Sequence, residues 1–428
     1  MTTGHVRVRA DAELRRRLAA LLPETDRDGA EPADADRLLA RIVWSRLLEP
    51  GDAVAGALIA ALGPAPLLDM LASGADARTI GETARAASGL ATPDGELSDR
   101  RIAAGLGRWL PRLNRSETLE DIDRGIAAGM RVVAPESPSW PRLAEDLGPH
   151  APVLLWTRGD ESLLSAFSLA VVGARACTGY GAHLTAELTG EACAAGIAII
   201  SGAAYGIDAV AHRTALASES PTAAVLAGGA DRPYPAAHGP LLDRIAATGL
   251  VCSEMVPGAA PTRWRFLQRN RIIAALSRAT LVTEAGARSG SINTAGHAAE
   301  LGRALGAVPG PVTSAASAGC HRLIRDYDAT LVTNGAELRE FLGISGEQGL
   351  FDPDPEASGD TRQPALHRRI LDALPLRGGR TAGDAARRAG VALEEARGVL
   401  AELELLGYVS RRETPDGAEA HWQLQRRE

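Results

Sequence analysis

The chain has 428 residues, four cysteines and a formal net charge of −7, length enough for about two to four domains that each bury a core. All 46 basic residues are arginine, which excludes a Walker-type phosphate-binding lysine, a Schiff-base lysine and a lysine general base. Any anion must be held by arginine, by backbone N–H groups or by hydroxyls. The N-terminal segment carries Arg7, Arg9 and Asp11 with no apolar core, unlike a signal peptide. No apolar run reaches the roughly 18 residues of a membrane span. Cys177, Cys193, Cys252 and Cys320 are widely spaced without a CxxC pair, which predicts reduced thiols in a cytoplasmic protein with no structural metal and no cofactor.

Residues 1–40, rich in Arg, Asp and Ala, read as an extension with one helix from Asp11 to Leu22. Residues 41–125 predict a small helical domain, broken at Pro50-Gly51, Gly63-Pro64 and Pro93-Asp94-Gly95. From 126 to 343 short apolar runs alternate with helical segments: Met130–Ala134, Val153–Trp156, Leu169–Val172, Ile197–Ile200, Ala223–Leu226, Leu250–Cys252, Thr280–Thr283 and Ala304–Val308. Such strands imply a parallel sheet covered on both faces. The expected fold class is α/β, with an extended Rossmann-like, doubly wound, mostly parallel sheet. Residues 344–363 are rich in Gly, Asp and Pro and predict a linker. Residues 364–428 read as helices Pro364–Leu374, Thr381–Ala389 and Leu393–Leu406. A hairpin of Tyr408–Arg411 and Glu419–Leu424 about Pro415-Asp416-Gly417 follows. That order predicts a winged helix-turn-helix.

Ligands of an open α/β sheet bind beyond the carboxyl ends of its strands. Three candidate anion cradles fall there. Gly173-Ala174-Arg175 ends one strand, where glycine admits an anion to the backbone and arginine can fork it. Ser201-Gly202-Ala203-Ala204-Tyr205-Gly206 follows the next, with Asp208 expected as a cap and His212 as a structural histidine. Glu284-Ala285-Gly286 and Ser289-Gly290-Ser291 follow a third. Glu284 has no second carboxylate near it in sequence, which argues against paired acid–base hydrolysis.

The densest signal is Trp264-Arg265-Phe266-Leu267-Gln268-Arg269-Asn270-Arg271, set before a helix that reads as buried. Seven arginines and two acids lie between 263 and 303. Cations so close repel unless an anion lies among them. Arginine beside aromatic rings suits a ligand with phosphates and flat bases.

In order, GARACTGYG (173–181), SGAAYGIDAVAH (201–212), YP (234–235), SE (253–254), RFLQRNRIIAALS (265–277), EAGARSGSINTA (284–295) and PG (309–310) resemble the DprA/Smf family of DNA-processing proteins. The resemblance covers about half the chain. It implies a sequence-independent single-stranded-DNA-binding protein, not an enzyme, that dimerises and loads a RecA-type recombinase in natural transformation and recombination. A single-strand-binding protein is a further candidate partner. The implied DNA pocket comprises Gly173, Arg175, Ser201, Gly202, Gly206, Phe266, Arg269, Asn270, Arg271, Ser289, Gly290 and Ser291. His238, His321 and Tyr327-Asp328-Ala329 depart from the family pattern.

The rival reading is a phosphoribohydrolase-like enzyme on nucleoside monophosphates, or a nucleotide-sensing module. The enzyme's Pro-Gly-Gly-x-Gly-Thr loop is replaced here by Ser289-Gly290-Ser291. In the C-terminal module the third helix carries Glu394, Glu395, Glu402 and Glu404 against Arg397. Carboxylates repel a phosphate backbone, so a protein contact or self-association is expected of it rather than duplex reading.

Overall fold

Four helix starts in the N-terminal region are fixed by a side chain that accepts a backbone N–H: Asp11, Asp52, Asp76 and Asn114. The computed structural model describes residues 10–26, 32–89, 95–344, 365–375, 378–405, 408–412 and 420–425. Helices α1 (Ala12–Leu21), α2 (Pro32–Leu47), α3 (Ala53–Leu62), α4 (Pro64–Ala72), α5 (Ala77–Ser88), α6 (Asp99–Trp109) and α7 (Arg115–Ala127) precede the sheet. The segment read as an extension is part of this packing: Leu14, Leu18, Leu21, Leu38 and Leu39 are buried in the same core as Trp44 and Trp109. Among its described residues Arg15, Arg16 and Asp34 are exposed, and that polar composition hid the buried stripe. Among the described residues no single helix is long and apolar enough to cross a membrane.

Next come β1 (Arg131–Val133), β2 (Leu155–Gly159), β3 (Ser168–Gly173), α8 (Gly179–Ala194), β4 (Ala198–Ser201), α9 (Ile207–Ala217), β5 (Thr222–Leu226), α10 (Gly239–Thr248) and β6 (Leu250–Ser253). They are followed by α11 (Arg263–Leu276), β7 (Ala279–Glu284), α12 (Ser291–Glu300), β8 (Ala304–Ala307), α13 (Ala318–Asp326), β9 (Thr330–Leu331) and α14 (Gly335–Phe341). The nine strands form one sheet in the order β1-β2-β6-β5-β4-β3-β7-β8-β9. Pairing is parallel from β6 across to β9, while β1 and β2 are antiparallel. Leu169 and Val171 of β3 pack with Leu188 of α8 and Ala211 of α9 on one face. Ala170 and Val172 pack with Ile272 and Ile273 of α11 on the other. That period of two on a strand buried on both sides is what a doubly wound sheet requires. From β3 the chain winds outward through β4, β5 and β6, then crosses back to β7, so the switch point lies between β3 and β7.

The helical region is bonded to the sheet. Arg41 forks Glu136 at 2.7 Å through two nitrogens and donates to the Val153 carbonyl at 3.0 Å. Residues 1–345 and 346–428 are two compact units. The second contains α15 (Ala365–Ala373), β10 (Arg380–Thr381), α16 (Ala382–Ala389), α17 (Leu393–Leu405), β11 (Val409–Arg412) and β12 (His421–Leu424), with strand order β10-β12-β11. The expected linker beyond Ile344 and the Pro415-Asp416-Gly417 turn lie outside the described residues.

Candidate functional site

An open cavity of ≈ 1010 Å³ lies at the switch point, beyond the carboxyl ends of β3 and β7. Its floor is Val172–Ala176, the end of β3 and the loop that follows it, and one wall is α11. The other wall is the turn 286–291 with the start of α12. The arginine-rich run lies inside α11, not before it. Arg263, Phe266, Leu267, Asn270 and Ile273 line the cavity, at the three- and four-residue spacing of one helix face.

Trp264 is exposed, whereas several other positions of that helix are turned into the fold. Arg271 is 2% exposed and donates to both Glu254 oxygens, at 2.8 and 2.9 Å. Arg265 forks Glu49 at 2.8 and 2.9 Å. Arg269 is 7% exposed and donates to the Gly202 carbonyl at 2.7 Å and to the Val225 carbonyl. A Cβ at Gly202 would collide with its guanidinium, so this glycine makes room for Arg269. Burial pulls the Arg269 pKa down to about 10, and Asp208 opposes that. The charge crowding is thus answered in good part by the protein's own carboxylates and carbonyls, where the sequence reading looked to a ligand's phosphates. Arg269 still borders the cavity; Arg271 does not.

Of the remaining expected residues, Gly173, Arg175, Phe266, Asn270, Ser289, Gly290 and Ser291 line the cavity, whereas Ser201, Gly202 and Gly206 do not. Ser201 is fully buried and its hydroxyl donates to the Val171 carbonyl at 2.6 Å, so it serves the sheet. Gly206, at φ 77°, is required because a Cβ would strike the Ala174 and Arg175 carbonyls. Glu284 accepts from the Thr178 N–H at 2.8 Å and hydroxyl at 2.7 Å, fixing the loop that carries Arg175. Asp208 accepts from the Ala204 N–H at 3.3 Å; burial raises its pKa, and Arg269 opposes the rise. His212 is fully buried beside the Thr222 hydroxyl at 2.8 Å, and burial lowers its pKa to about 3. It is a neutral core residue. His238 donates to the Ala203 carbonyl at 2.9 Å.

Two cavity features escaped the sequence reading. Arg263 and Arg288 join Arg175 as exposed cations at the cavity, and none of the three has a carboxylate partner among the described residues. Tyr234 is 48% exposed and tilts onto Phe266 at 5.3 Å, while Arg175 stacks over that ring at 4.9 Å. The helical spacing of 263 from 266 and 270 was the available signal for Arg263. Opposite α11, the first N–H groups of α12 are bonded locally, Ser291 N–H to Ser289 Oγ at 3.3 Å and Asn293 N–H to the Gly290 carbonyl at 3.1 Å, and the positive end of the helix dipole lies at the cavity. Ser289 and Ser291 hydroxyls lie 2.7 Å apart there. Free guanidinium groups, the positive end of a helix dipole and a tyrosine–phenylalanine pair can together hold phosphates and flat rings.

Residues 131–343 match the family described as DNA recombination-mediator protein A. The chain is similar to a DNA processing protein of Mycobacterium tuberculosis, 45% identical over 301 residues that cover 67% of this chain and 77% of that one. It is also similar to the DNA processing protein of Streptococcus pneumoniae, 44% identical over 192 residues, 45% of this chain and 67% of that one. The X-ray structure of that pneumococcal protein superposes with a TM-score of 0.56 at 29% identity, covering 71% of this chain and 96% of that one.

Proposed function

Because the chain belongs to the DNA recombination-mediator protein A family, we propose that it binds single-stranded DNA without sequence preference at the β3–β7 cavity and loads a RecA-type recombinase onto it. The observation that carries this reading is the cavity itself, with three unpaired arginines around a tyrosine–phenylalanine–arginine stack. Guanidinium groups without a protein counter-ion favour a polyanion, and exposed ring faces favour unpaired bases, which a duplex keeps stacked. The reading assigns no catalytic residue: Glu284 is committed to the Thr178 loop and His212 is buried and neutral.

The second unit is read as a winged helix for protein contact or self-association, and the protein as a homodimer. Supporting this, α17 exposes Glu394 and Glu395, and its Arg397 is already paired with Glu394 at 2.9 Å. Labelled single-stranded and duplex DNA of equal length, titrated beside a nucleotide-hydrolysis assay, test the binding reading. Single strands should bind at least about tenfold more tightly, with no hydrolysis; equal affinities would overturn it. Recombinase filament growth on strands coated with single-strand-binding protein tests the loading.

A further inference from the structure

A second, smaller cleft of ≈ 370 Å³ lies across α12 from the main cavity, lined by Arg288, Ser289, Asn293, Gly296, His297 and Tyr327 among others. Arg288 and Ser289 border both cavities. A directed chain of hydrogen bonds runs through the wall between them. Arg269 Nε donates to Asn270 Oδ1 at 3.3 Å, and Asn270 Nδ2 donates to Asn293 Oδ1 at 3.2 Å. Asn293 Nδ2 then faces His297 Nε2 at 3.4 Å, and His297 Nδ1 faces Glu300 at 3.2 Å. Each amide can take only one orientation in this series, and His297 becomes an Nδ1–H imidazole with Nε2 accepting. Asn293 and His297 are thereby held in place on the floor of the second cleft. Tyr327 forms part of its lining, with Arg322 over its ring at 5.8 Å.

We propose that this cleft is a second nucleotide subsite, into which the strand continues after passing Arg288 and Ser289. The inference rests on the strand-binding reading of the main cavity. Three observations carry it. The cleft volume is at the lower end of small-ligand pockets, suited to one nucleoside. Its cation, Arg288, stands at the shared border, where a phosphate crossing from one cavity to the other would lie. Glu300, exposed at the far lip, repels a phosphate, so the base turns into the cleft against Tyr327 and His297 while the backbone stays on the Arg288 side.

The cleft can be filled without disturbing the fold, since a Cβ at Gly296 meets no atom within 4 Å. The test is fluorescence anisotropy of labelled oligothymidylates of stepwise increasing length, using the full chain and its Gly296→Leu and Tyr327→Ala variants. For the unaltered protein, affinity should rise with length and then gain a last step of about fivefold or more when the strand reaches the cleft. Both variants should lose that last step, keep the affinity for shorter strands and keep the melting temperature. If Gly296→Leu fails to fold, Tyr327→Ala decides alone. Variants that retain the last step overturn the subsite while leaving the main cavity intact. Failure of the unaltered protein to bind at any length overturns the strand-binding reading, and the subsite with it.

Discussion

Arg175 and Arg271 are both arginines of the same expected pocket, yet the structure gives them opposite consequences when truncated. Arg175 is exposed beside Phe266 with no carboxylate partner, whereas Arg271 is 2% exposed and forks Glu254. Arg175→Ala removes a charge-assisted contact to phosphate worth about 1.5–3 kcal/mol, roughly ten- to a hundredfold in affinity, and leaves the core untouched. Arg271→Ala leaves Glu254 inside the protein without its cation. Breaking a buried pair costs about 3–5 kcal/mol, and the lower end applies because the Glu254 side chain keeps 13% exposure. Denaturant unfolding and anisotropy titration on both variants separate the two effects. Arg175→Ala should unfold like the parent and bind weakly; Arg271→Ala should unfold about 3 kcal/mol earlier and, below that transition, bind like the parent. An Arg271→Ala protein of normal stability that has lost DNA would refute the reasoning.

Phe266→Ala should weaken single-strand binding by about 1–3 kcal/mol through lost stacking, and anisotropy would register it; unchanged affinity would leave the aromatic pair without a role. Deleting residues 364–428 should leave most single-strand binding intact, because all the cavity residues precede Leu342; a folded truncation that loses DNA would assign the contact to the second unit. His212, held near pKa 3 by burial, binds its proton only in the unfolded chain between about pH 6.5 and 3, so its share of stability is complete above pH 6.5 and is lost as pH falls, by about 1.4 kcal/mol per unit. Unfolding curves at pH 7 and 5 should differ more for the parent than for His212→Gln; equal differences would show that the histidine is not buried neutral.

The eight apolar runs read from the sequence correspond to β1 through β8 within a few residues, because a strand buried on both faces must be nearly continuous in apolar side chains. The two-residue β9, exposed at both positions, has no such pattern and was invisible. At the site, the sequence located the strand ends but not the direction of each side chain. Ser201 and Ser289 both follow strands, yet one hydroxyl is consumed by the Val171 carbonyl and the other faces the cavity. On α11 the helical wheel held more than was taken from it. Arg269 and Arg271 are about 200° apart around the axis, so the two guanidinium groups leave opposite sides and cannot share a ligand. Arg263, Phe266 and Asn270 share one side and do line the cavity. What remained beyond the sequence was the source of the counter-charges: Glu49 comes from the loop after α2, 216 residues away from Arg265.

The most direct test of the central claim is the salt dependence of single-strand binding by the parent and by the variant carrying Arg175→Ala, Arg263→Ala and Arg288→Ala together. Each phosphate neutralised contributes a log–log slope of about −0.7. Losing three cations should therefore flatten the slope by roughly 2 and lower affinity at every salt concentration, while the melting temperature stays at the parent value. A variant with the parent's slope would contradict the account, since the phosphates would then be held somewhere other than the cavity between β3 and β7.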